Sequence, residues 1–248
     1  MNTIFEKSFD IRQHELDTHG RLRPVILLAY LQSVASEHAA QMGISVRDLQ
    51  KRGLTWVLSR MHLNMTRYPL DGELLHIRSW PVLRDGFFTV RDFELLDRSG
   101  ARVGAASTSL AVLDMTSRRP VKIDDHLPEY QLNPQRALED DFASLPILDI
   151  PENRLSLPVL RSDLDMNQHV NNTVYAGWGL EAAPHELAEN SHAVEIEIGF
   201  RNEALYGDTI VSLSGAEPGE TGYLLHRIEH AVNGRELARL RTRWQPLR

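Results

Sequence analysis

Polar and apolar positions alternate, give way to a long apolar run, and alternate again, twice along the chain. Near the N-terminus MNTIFEKSFDI alternates with a period of two, the pattern of a half-buried strand. Pro24 then suits a first helical turn, and VILLAYL behind it is apolar nearly all round, which predicts a fully buried helix. The segment ISVRDLQKRG reads as a short extra helix that Ser45 caps and Gly53 ends. Strands are predicted at roughly 54–67, 73–82, 86–97 and 101–114, with turns at Asp71-Gly72, Asp85-Gly86 and Ser99-Gly100. In the second half a lead-in strand precedes VYAGWGLEAA, which reads as a helix. Strands follow at roughly 191–203, 208–216, 221–231 and 235–245, and Asn233-Gly234 is the strongest hairpin signal. Residues 124–152 between the halves are rich in Asp, Glu and Pro and lack periodicity, as a linker would.

The halves repeat one another. Leu16-Asp17 and the THGRLRPVILLAYLQ that follows resemble Leu164-Asp165 and MNQHVNNTVYAGWGLE, at an offset of 148. Asp71-Gly72 matches Tyr206-Gly207 at an offset of 135, and the 13-residue difference falls on the extra segment of the first half. The expected architecture is α+β, a long helix wrapped by an antiparallel sheet and present twice, which is a double (tandem) hotdog. Its parts would be residues 1–123, a linker at 124–152, and residues 153–248. Two unrelated α+β domains would not give paired offsets.

Composition narrows the function. With 248 residues, 42% of them hydrophobic and 25% charged, the chain is an ordinary globular one. No apolar run approaches the roughly 20 residues of a membrane span. The N-terminus shows neither basic leader nor apolar signal region, so the cytoplasm is expected. There is no cysteine, hence no thiol nucleophile, disulfide or zinc–thiolate site. A formal charge of −7 argues against nucleic acid, and an acidic partner would need a local basic patch. Arg118, Arg119 and Lys122 are one candidate patch and Arg235, Arg239, Arg241 and Arg243 another, although solvated strand faces account for both.

The stretch DLDMNQHVNN at 163–172 concentrates the candidate chemistry. Asp165, Asn167 and His169 occupy alternate positions, so an extended lead-in would point all three one way. They would converge at a helix N-terminus, where free N–H groups favour a developing negative charge. Asp163 reads as a lead-in or cap residue, and Asn171 and Asn172 satisfy the helix start. His226-Arg-Ile-Glu229-His230 matches the H-x-x-E-H zinc-peptidase pattern. As a strand, however, that segment would hold its two His about 13 Å apart. No G-x-S-x-G, P-loop or G-x-G-x-x-G occurs. Trp56, Trp80 and Trp178 read as core.

LDMNQHVNN followed by Tyr175, Gly177-Trp178 and Glu181 resembles the active-site motif of the acyl-acyl carrier protein thioesterases, a double-hotdog family of plants and bacteria. TWVLSRMHLNMTRYPLDGELLHIRSW (55–80) resembles the family's matching strand pair, and the likeness runs from about Phe5 to Trp244. It implies a catalytic set of Asp165, Asn167, His169 and Glu203. Plant members often carry a cysteine after that Glu; here the position is Ala204. It also implies that the first half shapes the acyl-binding tunnel, with Met61, Leu63 and Met65 lining or bordering it, although ordinary core packing suits any one of them.

The residues allow Glu203, oriented by Asp165 and His169, to act as general base on water, with Asn167 and an N–H near Val170 holding the thioester carbonyl; Asn171 would sit beside the substrate. The rival chemistry makes Asp165 a nucleophile through a mixed anhydride. Strict alternation of Val194, Ile196, Ile198 and Phe200 gives Glu203 outward parity, which only a bulge, for example at Gly199, would reverse. The first repeat keeps Asp17 but replaces MNQH by Thr18-His19-Gly20-Arg21 and carries Tyr68 at the position of Glu203. Only the second half is therefore expected to be catalytic. The implied activity is release of free fatty acid from a fatty acyl phosphopantetheine thioester on acyl carrier protein, with no metal or organic cofactor. The rivals are the same hydrolysis on acyl-CoA and a non-catalytic acyl-chain or acyl-carrier binder. Hotdog sheets also pair through exposed edges, which leaves a homodimer open.

Overall fold

A computed structural model describes residues 3–247; Met1 and Asn2, within the alternating N-terminal stretch, lie outside the described residues, as does Arg248. The chain divides into two compact units, Met1–Phe142 and Ala143–Arg248. The first contains Phe5–Asp10 (β1), Pro24–Gln41 (α1), Val46–Gln50 (α2), Leu54–Met65 (β2), Leu74–Asp85 (β3), Phe88–Leu96 (β4), Arg102–Asp114 (β5), Pro120–Val121 (β6) and Ile123–His126 (α3). The second contains Asn153–Pro158 (β7), Asn172–Glu181 (α4), His185–Asn190 (α5), Ser191–Phe200 (β8), Thr209–Ala216 (β9), Tyr223–His230 (β10) and Glu236–Pro246 (β11).

Within the first unit the antiparallel order is β1-β3-β4-β5-β2, with β6 pairing β5. Within the second it is β7-β9-β10-β11-β8. The two orders match strand for strand, so the repeat legible in the sequence is a repeat of topology. In each unit the long helix packs on the sheet: α1 on β1 and β3, α4 on β9, β10 and β11.

Local sequence explains the elements. Ser45 caps α2 as read, its hydroxyl accepting from the Asp48 N–H at 3.2 Å while Asp48 reaches back to the Ser45 N–H. Gly53, with φ 71°, turns the chain out of that helix. The expectation that VILLAYL is buried all round is corrected. Only one stripe of α1 is buried, formed by Leu27, Leu28, Leu31, Val34 and His38, while Ala29 is exposed. These residues recur every one, three or four positions, which lays them on one helix face.

On β2, Met61, Leu63 and Met65 alternate onto the buried face and stand opposite Thr108, Ala106 and Gly104 of β5. A Cβ on Gly104 would collide with the Met65 sulfur, so the glycine makes room for that side chain. Residues 127–152 carry no regular secondary structure but are tied down. In the first unit the fully buried Asp92 accepts from Arg136 Nε (2.9 Å), the Ala137 N–H (2.8 Å) and Ser107 Oγ (2.5 Å). In the second, Leu148 packs with Val211, Leu213 and Leu225, and Arg239 donates to the Leu145 carbonyl at 2.7 Å.

Candidate active site

The segment holding Asp165, Asn167 and His169 is a tight turn. Leu164 and Val170 pair across it, the Asp165 N–H donates to the His169 carbonyl (2.8 Å), and the Gln168 N–H donates back to the Asp165 carbonyl (3.0 Å). The reversal places Gln168 at φ 64°, a left-handed conformation that costs a residue bearing Cβ about 1 kcal/mol. The expected extended lead-in is thus corrected: a side-chain-bearing residue in the left-handed region breaks the alternation. The Asp165 carboxylate is the turn's internal acceptor. Oδ1 takes the Asn167 N–H at 2.8 Å and Oδ2 takes Asn167 Nδ2 at 3.3 Å, which orients the Asn167 amide.

His169 pairs through its backbone with Leu205 and so lies beside the segment that carries Glu203; His169 Nε2 and Glu203 Oε2 are 3.6 Å apart, with side chains 35% and 44% exposed. Glu203 gets there without a bulge at Gly199, where β8 and β11 stay in register. Strand β8 ends at Phe200 because Arg201 and Asn202 both donate to the Leu237 carbonyl, at 2.9 and 3.1 Å. Parity counted along the strand therefore says nothing about residue 203. Beyond that stop, Tyr175 on α4 fixes the segment. Its buried hydroxyl accepts the Ala204 N–H at 3.0 Å and lies 3.5 Å from the Asn202 carbonyl, bracketing Glu203 on both sides. Burial, reinforced by the nearby Glu203 and Asp208 carboxylates, pushes the Tyr175 phenol up to about 12, so it stays a neutral hydrogen-bonding group. Sequence reading had Tyr175 only as part of a motif; the available clue is that the first repeat carries Leu27 there.

Two of the expected site residues have partners within the fold. The Val170 N–H donates to the Ala204 carbonyl at 3.2 Å, so it already has an acceptor and ties the helix entry to the 203–205 segment. Asn171 is the N-cap of α4, its side-chain oxygen accepting from Thr173 N–H (3.0 Å) and Thr173 Oγ1 (3.1 Å), the helix-start role its sequence position suggests. The N–H of Asn172, at the first helical position, has no acceptor among the described residues. Asp163 serves the lead-in, accepting the Leu160 N–H at 2.8 Å.

The first unit repeats the scaffold without counterparts of the Asn167, His169 and Glu203 side chains. Leu16 pairs with Leu22 and Arg21 with Leu70, as Leu164 does with Val170 and His169 with Leu205. Asp17 fills the role of Asp165, its Oδ1 taking the N–H groups of His19 (2.8 Å) and Arg21 (2.9 Å). Gly20, at φ 73°, occupies the left-handed position of Gln168. Arg21 replaces His169, and Tyr68, at the position of Glu203, is buried.

Other candidates resolve as packing. Trp80 and Trp178 are buried, and half-buried Trp56 donates to the Ile44 carbonyl at 2.8 Å. His226 and His230 lie on strand β10; buried His226 bonds Thr242 Oγ1 at 2.7 Å. Of the second basic cluster, Arg239, Arg241 and Arg243 pair with Glu236, Glu197 and Glu217, and Glu195 respectively. Arg118, Arg119 and Lys122 are exposed at the β5–β6 turn and the start of α3.

Among known proteins, residues 2–130 match the acyl-ACP thioesterase N-terminal domain and residues 150–246 the acyl-ACP thioesterase C-terminal domain. The palmitoyl-acyl carrier protein thioesterase of Cuphea hookeriana is 28% identical over 260 residues, which cover 98% of this chain and 62% of that protein. Oleoyl-acyl carrier protein thioesterase 1 of Arabidopsis thaliana is 27% identical over 274 residues, 97% of this chain and 76% of that one. The chain thus spans only about three fifths of the length of some curated relatives, 62% for the Cuphea hookeriana protein. Among solved structures, the acyl-ACP thioesterase of Bacteroides thetaiotaomicron superposes with a TM-score of 0.85 at 23% identity, over 98% of both chains. The 12:0-ACP thioesterase of Umbellularia californica gives 0.86 at 23% identity, over 100% of this chain and 99% of the other. These likenesses establish the fold, the expected α+β double hotdog. With both of the family's domains matched in order along its length, the chain belongs to the acyl-ACP thioesterases.

Proposed function

We propose that this protein hydrolyses the thioester of fatty acyl-acyl carrier protein, releasing free fatty acid and carrier, at the turn and helix entry of its second unit. The observation that carries the reading is the contrast between the copies. One scaffold presents Asn167, His169 and Glu203 in the second unit and Thr-His-Gly-Arg with a buried Tyr68 in the first. A pure binder has no use for keeping one constellation intact beside a degenerate twin.

In this reading Glu203, paired with His169 and bracketed by Tyr175, takes a proton from water as the water oxygen bonds to the thioester carbon. The Asn167 amide, oriented by Asp165, and the Asn172 N–H at the start of α4 stabilise the oxyanion. Collapse of the tetrahedral intermediate breaks the C–S bond, and the proton held by Glu203 passes to the departing sulfur. Asp165 is committed to the turn in the way Asp17 is in the non-catalytic copy, which favours a positioning role over a nucleophilic one. Met61, Leu63 and Met65, on the buried face of β2, are in this reading the acyl-chain-binding residues of the first unit. No step calls for a metal or cofactor. Among the described residues no helix is long and apolar enough to cross a membrane.

The test is thiol release from matched acyl carrier protein and acyl-CoA substrates, with wild type and Glu203→Ala. Carrier-preferring hydrolysis that collapses in the variant supports the assignment. Preference for acyl-CoA changes the carrier, and binding of acyl carrier protein without hydrolysis of any donor replaces the enzyme by a binder.

A further inference from the structure

We propose that the rim of the second unit's active turn, built on Leu160, Arg161, Met166, Leu205 and Tyr206, is the docking surface for the acidic carrier protein. The proposal rests on the acyl-carrier reading of the site. It comes from comparing the two copies position by position outside the chemistry. Leu160, Met166, Leu205 and Tyr206 are large apolar side chains left exposed around the turn, Met166 to 77%. Their counterparts in the first unit are Arg12, Thr18, Leu70 and Asp71, so three of the four are polar on an otherwise equivalent loop. Exposed apolar groups clustered on one rim, of which the twin keeps only the counterpart of Leu205, Leu70, mark a contact surface and not a requirement of the fold.

Charge points the same way. Arg161 replaces Gln13 of the first copy, and its guanidinium lies 4.2 Å over the ring of Tyr206, where the twin has Asp71. Stacking fixes the direction of the cation without neutralising it. Arg161 has no carboxylate partner among the described residues, whereas Arg201, Arg227, Arg239, Arg241 and Arg243 of the same unit each pair with glutamate. Arg235 is another cation of this unit with no carboxylate partner among the described residues, its guanidinium donating to the Glu203 carbonyl at 3.3 Å. The chain carries −7 overall, so a partner rich in carboxylates is repelled at long range and must find local positive charge. This rim supplies it within reach of the thioester site, and the segments are held together by the Val159 N–H on the Asp208 carbonyl (2.9 Å) and the Leu205 N–H on Asp208 Oδ2 (2.9 Å).

The experiment measures affinity for holo-acyl carrier protein, which carries no acyl group, for wild type, Arg161→Glu, Tyr206→Ser and the twin control Arg12→Glu. Hydrolysis of acyl-carrier protein, acyl-phosphopantetheine and acyl-pantetheine is measured in parallel. Arg161→Glu should weaken binding by about tenfold or more at low salt, the gap closing near roughly 0.5 M salt. Tyr206→Ser should weaken it by about threefold or more through lost stacking and contact area. Arg12→Glu should leave it unchanged, and the free pantetheine thioesters should turn over as in wild type. Unchanged affinity in Arg161→Glu, or an equal loss in Arg12→Glu, overturns the proposal. So does an equal loss on acyl-phosphopantetheine, which assigns Arg161 to the arm's phosphate. A wild type that binds carrier but hydrolyses nothing defeats the enzyme reading and leaves the docking surface to be judged on affinity alone.

Discussion

Asp165→Asn separates the two chemistries that the residues allow. The substitution keeps an oxygen at Oδ1 to accept the Asn167 N–H, now 2.8 Å away, so the turn closes as before. It removes the charge and sets an NH2 group against Asn167 Nδ2, where Oδ2 now accepts at 3.3 Å. A hydrogen bond to a charged group contributes about 1.5–3 kcal/mol, and the partial exposure of Asp165 puts this one at the low end. Losing about 1.5 kcal/mol of orientation at Asn167 slows hydrolysis by about tenfold. Glu203→Gln removes the proposed general base and should cost about 10²–10⁴. Asp165→Ala, which also removes the Oδ1 acceptor, should fall between the two. If Asp165 were instead the nucleophile, Asp165→Asn would abolish turnover, a loss above about 10⁴. The assay is kcat/KM by thiol release, with a single turnover in oxygen-18 water. A loss in Asp165→Asn as deep as that in Glu203→Gln, or label in the Asp165 carboxylate, refutes the positioning role.

Three further outcomes follow from the packing. Tyr175→Phe strips the Ala204 N–H of its acceptor and frees the segment bracketing Glu203; stability should fall by about 1–2 kcal/mol, with kcat reduced more than KM and activity not restored by raising substrate. Burial holds the His226 imidazole down to about 4, from an ordinary 6.5, against a weaker upward pull from the Gly179 backbone. The unfolded chain therefore takes up this proton first as pH falls: the stabilisation is full above about 6.5 and lost progressively toward 4, by about 3 kcal/mol. His226→Gln should flatten that limb in urea titrations run across the interval, and an unchanged limb assigns the acid sensitivity elsewhere. Asp92→Ala leaves Arg136, the Ala137 N–H and Ser107 without their shared acceptor; a cost of about 3–5 kcal/mol and new proteolysis within 133–142 are expected, and less than about 1 kcal/mol would show the contact to be incidental.

What the sequence disclosed divides along physical lines. Period-two and helical patterns report burial, and burial is what the strands and α1 share, so their limits were legible to within a few residues. Examples are 101–114 against Arg102–Asp114 and 208–216 against Thr209–Ala216. The same patterns say nothing where the chain leaves regular structure. Gln168 escaped because alternation assumes negative φ; the readable hint was that its counterpart is Gly20, the residue type that adopts the left-handed region freely. The outward parity of Glu203 misled because it was counted three residues past the end of β8. The anchoring of 127–152 escaped because it depends on polar contacts such as Asp92 with Arg136, which leave no period.

The duplication supplies what periodicity cannot. Two copies that have kept one scaffold act as each other's control: what both retain belongs to the fold, and what only one retains is left over for function. By that rule Asp165 falls on the side of the fold, since Asp17 accepts backbone N–H groups in the equivalent turn of the first unit. Asn167, His169, Glu203 and Tyr175 fall on the other side, as do the apolar rim and Arg161. The rule also explains why the second copy tolerates the left-handed strain at Gln168: replacing it by glycine would cost backbone entropy in the very turn that must hold Asn167 and His169 still. The strained residue costs about as much as the freedom it removes, so Gln168→Gly should change stability by less than about 0.5 kcal/mol while lowering kcat.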